Sequence, residues 1–316
     1  MNKFGFVVLQ YNNHLDTIEC VESLLKQTTS EFMIVVVDNC STTNAFEIIE
    51  KKYREQRAVA VIRTNRNLGF SKGNNVGIAV AREKGAADIA VINNDTVIHD
   101  RQFIEKYYQL ERSDTYIISP RIISAIDGND QNPFMVTNHF IKNKQMAIRL
   151  ALIGLVKYFF ILLGTKEFWE KRNVGRDYTL GLAVRELKSE TDDYMFHGAA
   201  FILTEKFNQQ FDKIPDLTFM YEEETLLYIV LRQLGLQYVY TPKLVIHHKE
   251  QASTTATYAN KRKKLIFGYR EDCKARMQVL KVSFYLNDQQ YLSKLLKSKQ
   301  TKTKEAETEL WGLEND

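Results

Sequence analysis

Cysteine is scarce in this chain of 316 residues: Cys20, Cys40 and Cys273 are the only three. They form no metal-type pair and cannot all pair with one another, so the expectation is a reduced, cytoplasmic protein without a disulfide framework. Neither sign of charge is in excess, because 43 basic and 39 acidic residues leave a net +4. That balance argues against nucleic acid as the main partner. The amino terminus lacks the basic start, long apolar middle and small-residue cleavage site of a signal peptide, which again points to the cell interior. The one membrane-like stretch, residues 147–164, is interrupted by Arg149 and Lys157 and is short for a spanning helix. It reads as a buried or half-buried helix, packed on the sheet or in a homodimer, with an interfacial membrane contact as the alternative. No Gly-, Ser- or Pro-rich linker precedes the middle of the chain, and no internal repeat is visible.

What is present is a βαβα rhythm over the first hundred residues. Short β-branched runs at 4–9, 32–37, 58–63 and 89–92 alternate with helical patterns at 16–26 and 45–53. The runs are continuously apolar, as strands of a parallel sheet covered on both faces must be. Ligands of such sheets sit beyond the carboxyl ends of the strands, which directs attention to the polar clusters at 10–13, 38–43, 65–75 and 93–96. The middle of the chain, from about 116 to 193, is less regular and reads as an elaboration of the same domain. Further on, Leu227, Val230, Leu231 and Leu234 fall at helical spacing, with Gly235 as the expected C-cap. Strands are expected at 237–240 and 244–247, then a charged helical region from 261 that ends in a lysine-rich run and an acidic tail.

Several residues in these clusters can carry chemistry. Asp38 ends a Val-Val-Val strand and opens the turn Asn39-Cys40-Ser41-Thr42, which can hydrogen-bond a base or ribose or simply form an Asx turn. Residues 65–75 combine two glycines with Lys72 and several amides. Asp95 places one carboxylate after a buried strand; a hard divalent cation takes oxygen ligands and borrows others from substrate phosphates, so one aspartate can suffice. Glu222, Glu223 and Glu224 crowd the start of a helix, where mutual repulsion raises at least one pKa, as a general base requires. His247 and His248 are neighbours on a strand, so only one faces any given site.

The order of these motifs is more specific than any one of them. Val7-Val8-Leu9-Gln10-Tyr11-Asn12, Val37-Asp38-Asn39-Cys40-Ser41-Thr42, Asn67-Leu68-Gly69-Phe70, Gly73-Asn74-Asn75-Val76-Gly77-Ile78, Asn93-Asn94-Asp95-Thr96, His197-Gly198-Ala199-Ala200, Tyr221-Glu222-Glu223-Glu224 and His247-His248 follow one another. Over about residues 4–253 this resembles the inverting glycosyltransferases of family 2, in particular the rhamnosyltransferase-like branch of bacterial surface-polysaccharide synthesis. The resemblance implies a GT-A fold: an α/β domain with a Rossmann-like, mostly parallel central sheet, flanking helices and a helical C-terminal extension. It divides the chain into a nucleotide-sugar half at 1–100, an acceptor half at 101–253 and a lysine-rich extension at 254–316.

By the same resemblance, Tyr11, Asn12, Asp38, Asn67, Gly69 and Asn74 would hold the nucleoside, Asn94 and Asp95 the diphosphate region, and Gly198 and Ala199 the turn beside donor sugar and acceptor. Asp95 matches the last acid of the family's DxD-type motif and Asn93 stands where the first acid often is, so Mn²⁺ or Mg²⁺ would rest on Asp95 with His248. Glu224 matches the usual base, where the family more often has aspartate, with Glu223 beside it and Lys72 as an electrostatic helper. Leu226 and Val230 replace an acid and an arginine of the branch. The implied donor is thymidine-diphosphate rhamnose or a uridine-diphosphate hexose, and the implied acceptor is a saccharide or lipid-linked saccharide at the inner membrane face. Two other readings compete: a catalytically dead nucleotide-sugar-binding scaffold, and a sugar nucleotidyltransferase. The latter resembles a glycine-rich basic loop after the first strand, where this chain has Gln10-Tyr11-Asn12-Asn13.

Overall fold

Apolar β-branched runs build the centre of the protein, seen in a computed structural model that describes residues 3–133, 141, 143–164, 185–249 and 261–298. Strands β1 (Lys3–Gln10), β2 (Phe32–Asp38), β3 (Val59–Arg63) and β4 (Ala86–Asn93) lie parallel in the order β3-β2-β1-β4. Helices α1 (His14–Leu24), α2 (Ala45–Tyr53) and α3 (Phe70–Glu83) connect them. Successive side chains of a strand point to opposite faces, so Val7, Val35 and Val37 pack under α3 while Phe6, Val8 and Ile34 pack under α1 and α2. Helix α3 lies directly on the sheet at Gly77, where a Cβ would come within 2.4 Å of Val7 Cγ1.

The second half of the sheet is mixed. After β5 (Thr96–Val97) and α4 (Phe103–Tyr108) come β6 (Ile117–Ser124), β7 (Asp130–Asn132), α5 (Lys144–Leu162), β8 (Leu187–Lys188), β9 (Ala200–Leu203), α6 (Glu205–Gln210), α7 (Glu223–Gln233), β10 (Tyr238–His248), α8 (Lys261–Ser283) and α9 (Gln289–Leu295). Beyond β4 the order continues β9-β6-β10-β5, with β7 on the side of β6 and β8 on β10. Strand β9 runs antiparallel to both β4 and β6, and β6 and β10 are parallel. The two strands expected at 237–240 and 244–247 are one strand with a register shift between Thr241 and Val245. Pro242 sits in that shift, having no N–H for the ladder.

The apolar segment of the middle region is α5, capped where Asn143 Oδ1 accepts from the Met146 N–H at 2.9 Å. It packs antiparallel on α8: the Lys144 ammonium lies 3.9 Å from the Phe284 ring, and a Cβ on Gly154 would meet Arg276 Cδ at 2.6 Å. Ala147, Ala151, Gly154 and Ile161 form the buried face. Leu152, Leu155, Phe159 and Leu163 face outward, 56%, 46%, 59% and 60% exposed. The helix is therefore half-buried, with a bare apolar side.

Candidate active site

The carboxyl ends of β1 and β4 open into a cleft of about 960 Å³. Gln10 and Tyr11 line it from β1, Asn39, Asn67 and Gly69 from the loops after β2 and β3, and Asn93, Asn94 and Asp95 from the end of β4. Gly69 has φ +81°, and a Cβ there would lie 2.1 Å from the Phe219 carbonyl oxygen, so the loop can meet residue 219 only without a side chain. The Phe70 N–H donates to that same oxygen at 2.8 Å, fastening the start of α3 to the far wall.

Several residues expected to touch a nucleoside bind one another. Asn12, with φ 59°, accepts through Oδ1 from the Thr42 N–H at 2.7 Å, and its own N–H donates to Ser41 Oγ at 2.8 Å. Asp38 is fully buried, accepts from Gln10 Nε2 and from the Ser41 N–H at 2.9 Å, and lies 3.5 Å from Arg63. Burial pushes its pKa up, against the lowering pull of the Ser41 hydrogen bonds and Arg63. Asn12 and Asp38 thus shape the floor beneath Tyr11 and Asn39 rather than line the cleft. Asn67 Oδ1 accepts from Asn39 Nδ2 at 3.1 Å and from the Gly69 N–H at 3.0 Å, while Asn94 Nδ2 donates to Thr17 Oγ1 at 3.0 Å. Asn74 is buried in α3, and neither polar atom of its amide has a hydrogen-bond partner among the described residues. Lys72 is exposed on the same helix and is not part of the cleft lining.

At the end of β4, Asp95 Oδ1 faces His248 Nε2 at 3.3 Å. His248 Nδ1 and Gln131 Oε1 lie 2.8 Å apart, a hydrogen bond in the tautomer that carries its proton on Nδ1, and in that tautomer the Nε2 lone pair is available to a cation shared with Asp95. Asn132, the next residue of β7, accepts from the His197 N–H at 3.1 Å. His197 packs its ring 5.6 Å from that of His248, accepts through Nδ1 from the Ala199 N–H at 3.1 Å, and is driven down to about pKa 4 by burial and then by His248. His247 points to the opposite face, against His99 at 4.7 Å, as alternation along a strand requires. Among the described residues no group of three or more His, Cys, Asp or Glu side chains could hold a metal. Asp95 and His248 nevertheless suit a cation that takes its remaining ligands from waters and substrate phosphates.

The second cluster begins α7. Tyr221 and Glu222 adopt left-handed φ of 72° and 60°, a costly conformation for residues with side chains, at about 1–3 kcal/mol each. Glu222 Oε2 accepts from Thr225 Oγ1 at 2.7 Å, and its other oxygen lies 3.7 Å from Arg276. Glu224 rests against Gly198, where a Cβ would come within 2.8 Å of Oε1. Burial raises the pKa of Glu224. Glu223 is pushed up to about 8 by burial and then by Glu224, and its Oε1 is buried with no hydrogen-bond partner among the described residues. The turn His197-Gly198-Ala199 touches both clusters: His197 packs on His248, Gly198 on Glu224, and the Ala199 carbonyl accepts from the Asn93 N–H at 2.8 Å.

The far wall of the cleft comes from residues the sequence left outside the site. Phe219, Met220 and Tyr221 line it together with Lys264, Phe267, Tyr269, Asp272 and Arg276 of α8 and Lys157 of α5. The helical extension is therefore part of the cleft. Gln131 and Asn132 were also missed, because a three-residue polar strand carries no periodic signal.

Known proteins resemble this chain in sequence and in fold. Among curated relatives, the glycosyltransferase GlyG of Streptococcus pneumoniae is 27% identical over 143 residues, 45% of this chain and 46% of that protein. The poly(ribitol-phosphate) beta-N-acetylglucosaminyltransferase TarS of Staphylococcus aureus is 32% identical over 144 residues, 43% of this chain and 24% of that one. The aligned region thus spans less than half of either relative's length. In three dimensions the fold resembles residues 1–349 of S. aureus TarS, solved with UDP-GlcNAc, at a TM-score of 0.52 and 16% identity, covering 93% of this chain and 70% of that one. It also resembles GalNAc-T7, solved with UDP, GalNAc and Mn²⁺, at a TM-score of 0.54 and 11% identity, covering 93% and 56%. These likenesses support the GT-A architecture. The sequence model of one family, described as glycosyl transferase family 2, runs from residue 6 through residue 170, more than half of the 316, and the chain belongs to that family.

Proposed function

We propose that the protein is an inverting glycosyltransferase that moves a sugar from a nucleoside-diphosphate donor to a saccharide or lipid-linked saccharide acceptor in bacterial surface-polysaccharide synthesis. The observation that carries this reading is the single turn at 197–199, which contacts both the Asp95–His248 pair and Glu224. A direct displacement needs a proton acceptor and an anchor for the leaving group within one substrate's reach. The divisions at 1–100 and 101–253 correspond to donor and acceptor halves in this account.

In the reaction, the acceptor hydroxyl oxygen bonds to the anomeric carbon as the bond from that carbon to the diphosphate oxygen breaks, inverting the configuration. The diphosphate leaves with the electron pair, and Glu224 takes the hydroxyl proton. The raised pKa of Glu224 suits a base, since a stronger base is formed once the side chain ionises. Tyr11, Asn67, Gly69 and Asn94 line the cleft and orient the donor; Asn12, Asp38 and Asn74 support them from behind, and Ala199 fixes the turn. Asp95 and His248 would hold a Mg²⁺ or Mn²⁺, which would supply positive charge to the departing diphosphate.

Thymidine-diphosphate rhamnose and uridine-diphosphate hexoses are the donors to test. The resemblance to the rhamnosyltransferase-like branch supports the first, and the N-acetylglucosaminyl transfer named for the relative TarS supports the second. The bare side of α5 suits a peripheral contact with the inner face of the membrane, where a lipid-linked acceptor would be met. The test is release of nucleoside diphosphate from these donors in the presence of Mn²⁺ and saccharide acceptors. One donor is expected to be consumed and Glu224→Gln to abolish turnover; equal turnover in Glu224→Gln would remove the base from this account.

A further inference from the structure

Among the described residues, three cations line the α5–α8 wall of the cleft: Lys157, Lys264 and Arg276. They are not equivalent. Arg276 is committed to Asp272 at 2.8 Å and lies 3.7 Å from Glu222. Lys157 and Lys264 make no hydrogen bond or ion pair with a carboxylate among the described residues. Both are only partly open to solvent. An ammonium that is partly desolvated and in direct contact with no carboxylate is costly to keep, so such a pair in a cleft marks a place for an anion. At Lys157, burial and then Arg276 lower the pKa, against the raising pull of the more distant Asp272 and Glu222 carboxylates.

The charges of the opposite wall indicate which anion fits. A departing nucleoside diphosphate carries about three negative charges, and a divalent cation shared with Asp95 offsets only about one of them. From this juxtaposition we propose that Lys157 of α5 and Lys264 of α8 form a phosphate-binding subsite, an inference that rests on the glycosyltransferase reading above. The phosphate is either the diphosphate of the donor or a phosphate carried by the acceptor. Two ammonium groups on separate helices match it as point charges, and each has three donors to turn toward phosphate oxygens. The subsite would also tie the α5–α8 helix pair to ligand binding at the strand ends, giving the extension a part in the reaction.

The experiment titrates UDP, dTDP and uridine, each with Mn²⁺, into the full chain by calorimetry, comparing the wild type with Lys157→Gln, Lys264→Gln and Lys157→Arg. Glycerol 1-phosphate is then titrated into each protein saturated with nucleoside diphosphate. If the donor supplies the phosphate, each glutamine variant binds the preferred diphosphate about 10-fold or more weakly, uridine binding is unchanged, and Lys157→Arg keeps most of the affinity. If the acceptor supplies it, diphosphate binding is unchanged and the affinity for glycerol 1-phosphate falls in the glutamine variants. Wild-type affinities for both ligands in both glutamine variants overturn the subsite. A wild type that binds no nucleoside diphosphate overturns the functional reading beneath it, and that result is distinct because it appears before any substitution is made.

Discussion

Replacing Gly198 by alanine tests the position of the proposed base without touching the base itself. The added Cβ would lie 2.8 Å from Glu224 Oε1 and 3.0 Å from its carboxyl carbon, whereas ordinary contact begins near 3.4 Å. The carboxylate must then retreat by roughly 0.6 Å, the difference between those two distances. A misplacement of about 1 Å can cost roughly 100-fold in rate, so a loss of about 10- to 100-fold in kcat is expected, or about 1.4–2.7 kcal/mol of transition-state stabilisation. Gly198 is not among the positive-φ glycines and the atoms it would strike end a flexible side chain, so the fold should be little affected. The assay is kcat at saturating donor beside a thermal unfolding midpoint. Shortening the base should relieve the clash, and Gly198→Ala with Glu224→Asp is expected to lose less than the sum of the single losses. A Gly198→Ala enzyme with wild-type kcat would refute the placement of the base; a fall in midpoint that accounts for the lost activity would refute the local reading of the clash.

Two other perturbations follow from the same geometry. Glu223 ionises near 8 in the fold against 4.5 for the free side chain, so its protonated form stabilises the protein below 4.5 and that contribution is lost as pH rises toward 8. The loss is at most roughly 5 kcal/mol, less to the extent that solvent reaches the side chain, and Glu223→Gln should flatten this part of the stability curve in urea titrations. Parallel curves for the two proteins would show that Glu223 is not held protonated. On α5, Leu155→Glu with Phe159→Glu should leave the fold intact, because both side chains face outward, and should abolish co-sedimentation with anionic vesicles at low salt. A wild type that does not sediment contradicts the membrane contact, and a dimer dispersed by the same substitutions would assign the face to a second copy.

The parallel half of the sheet was legible because its strands are continuously apolar: all seven residues of β2 are buried, and such a run has no other stable place. Asp95 was legible for the same reason, as the first carboxylate after a buried strand. The reversal of β9 was not, because a run such as Ala200–Leu203 carries no mark of its direction; that is set by its neighbours β4 and β6. The turns after β1 and β2 were found, but which of their polar groups reach the cleft was not: Asn12 and Asp38 both accept from N–H groups of the turn after β2, a matter of rotamer and hydrogen bonding rather than of pattern. Lys157 stood out only as an interruption of the apolar stretch and Lys264 not at all, because they come to one cleft wall only through the packing of α5 on α8, more than a hundred positions apart. Lys72 stood in a polar, glycine-containing loop segment and proved to be exposed on α3.

The central claim is that a nucleoside diphosphate binds this cleft together with a divalent cation at Asp95 and His248. It is tested most directly by measuring the affinity of UDP and dTDP with and without Mn²⁺ for the wild type and for Asp95→Ala. The account predicts that one diphosphate binds the wild type about 10-fold or more tightly with Mn²⁺ and that Asp95→Ala loses this increment while keeping the metal-free affinity. Equal binding with and without Mn²⁺, or an increment that survives in Asp95→Ala, would contradict it.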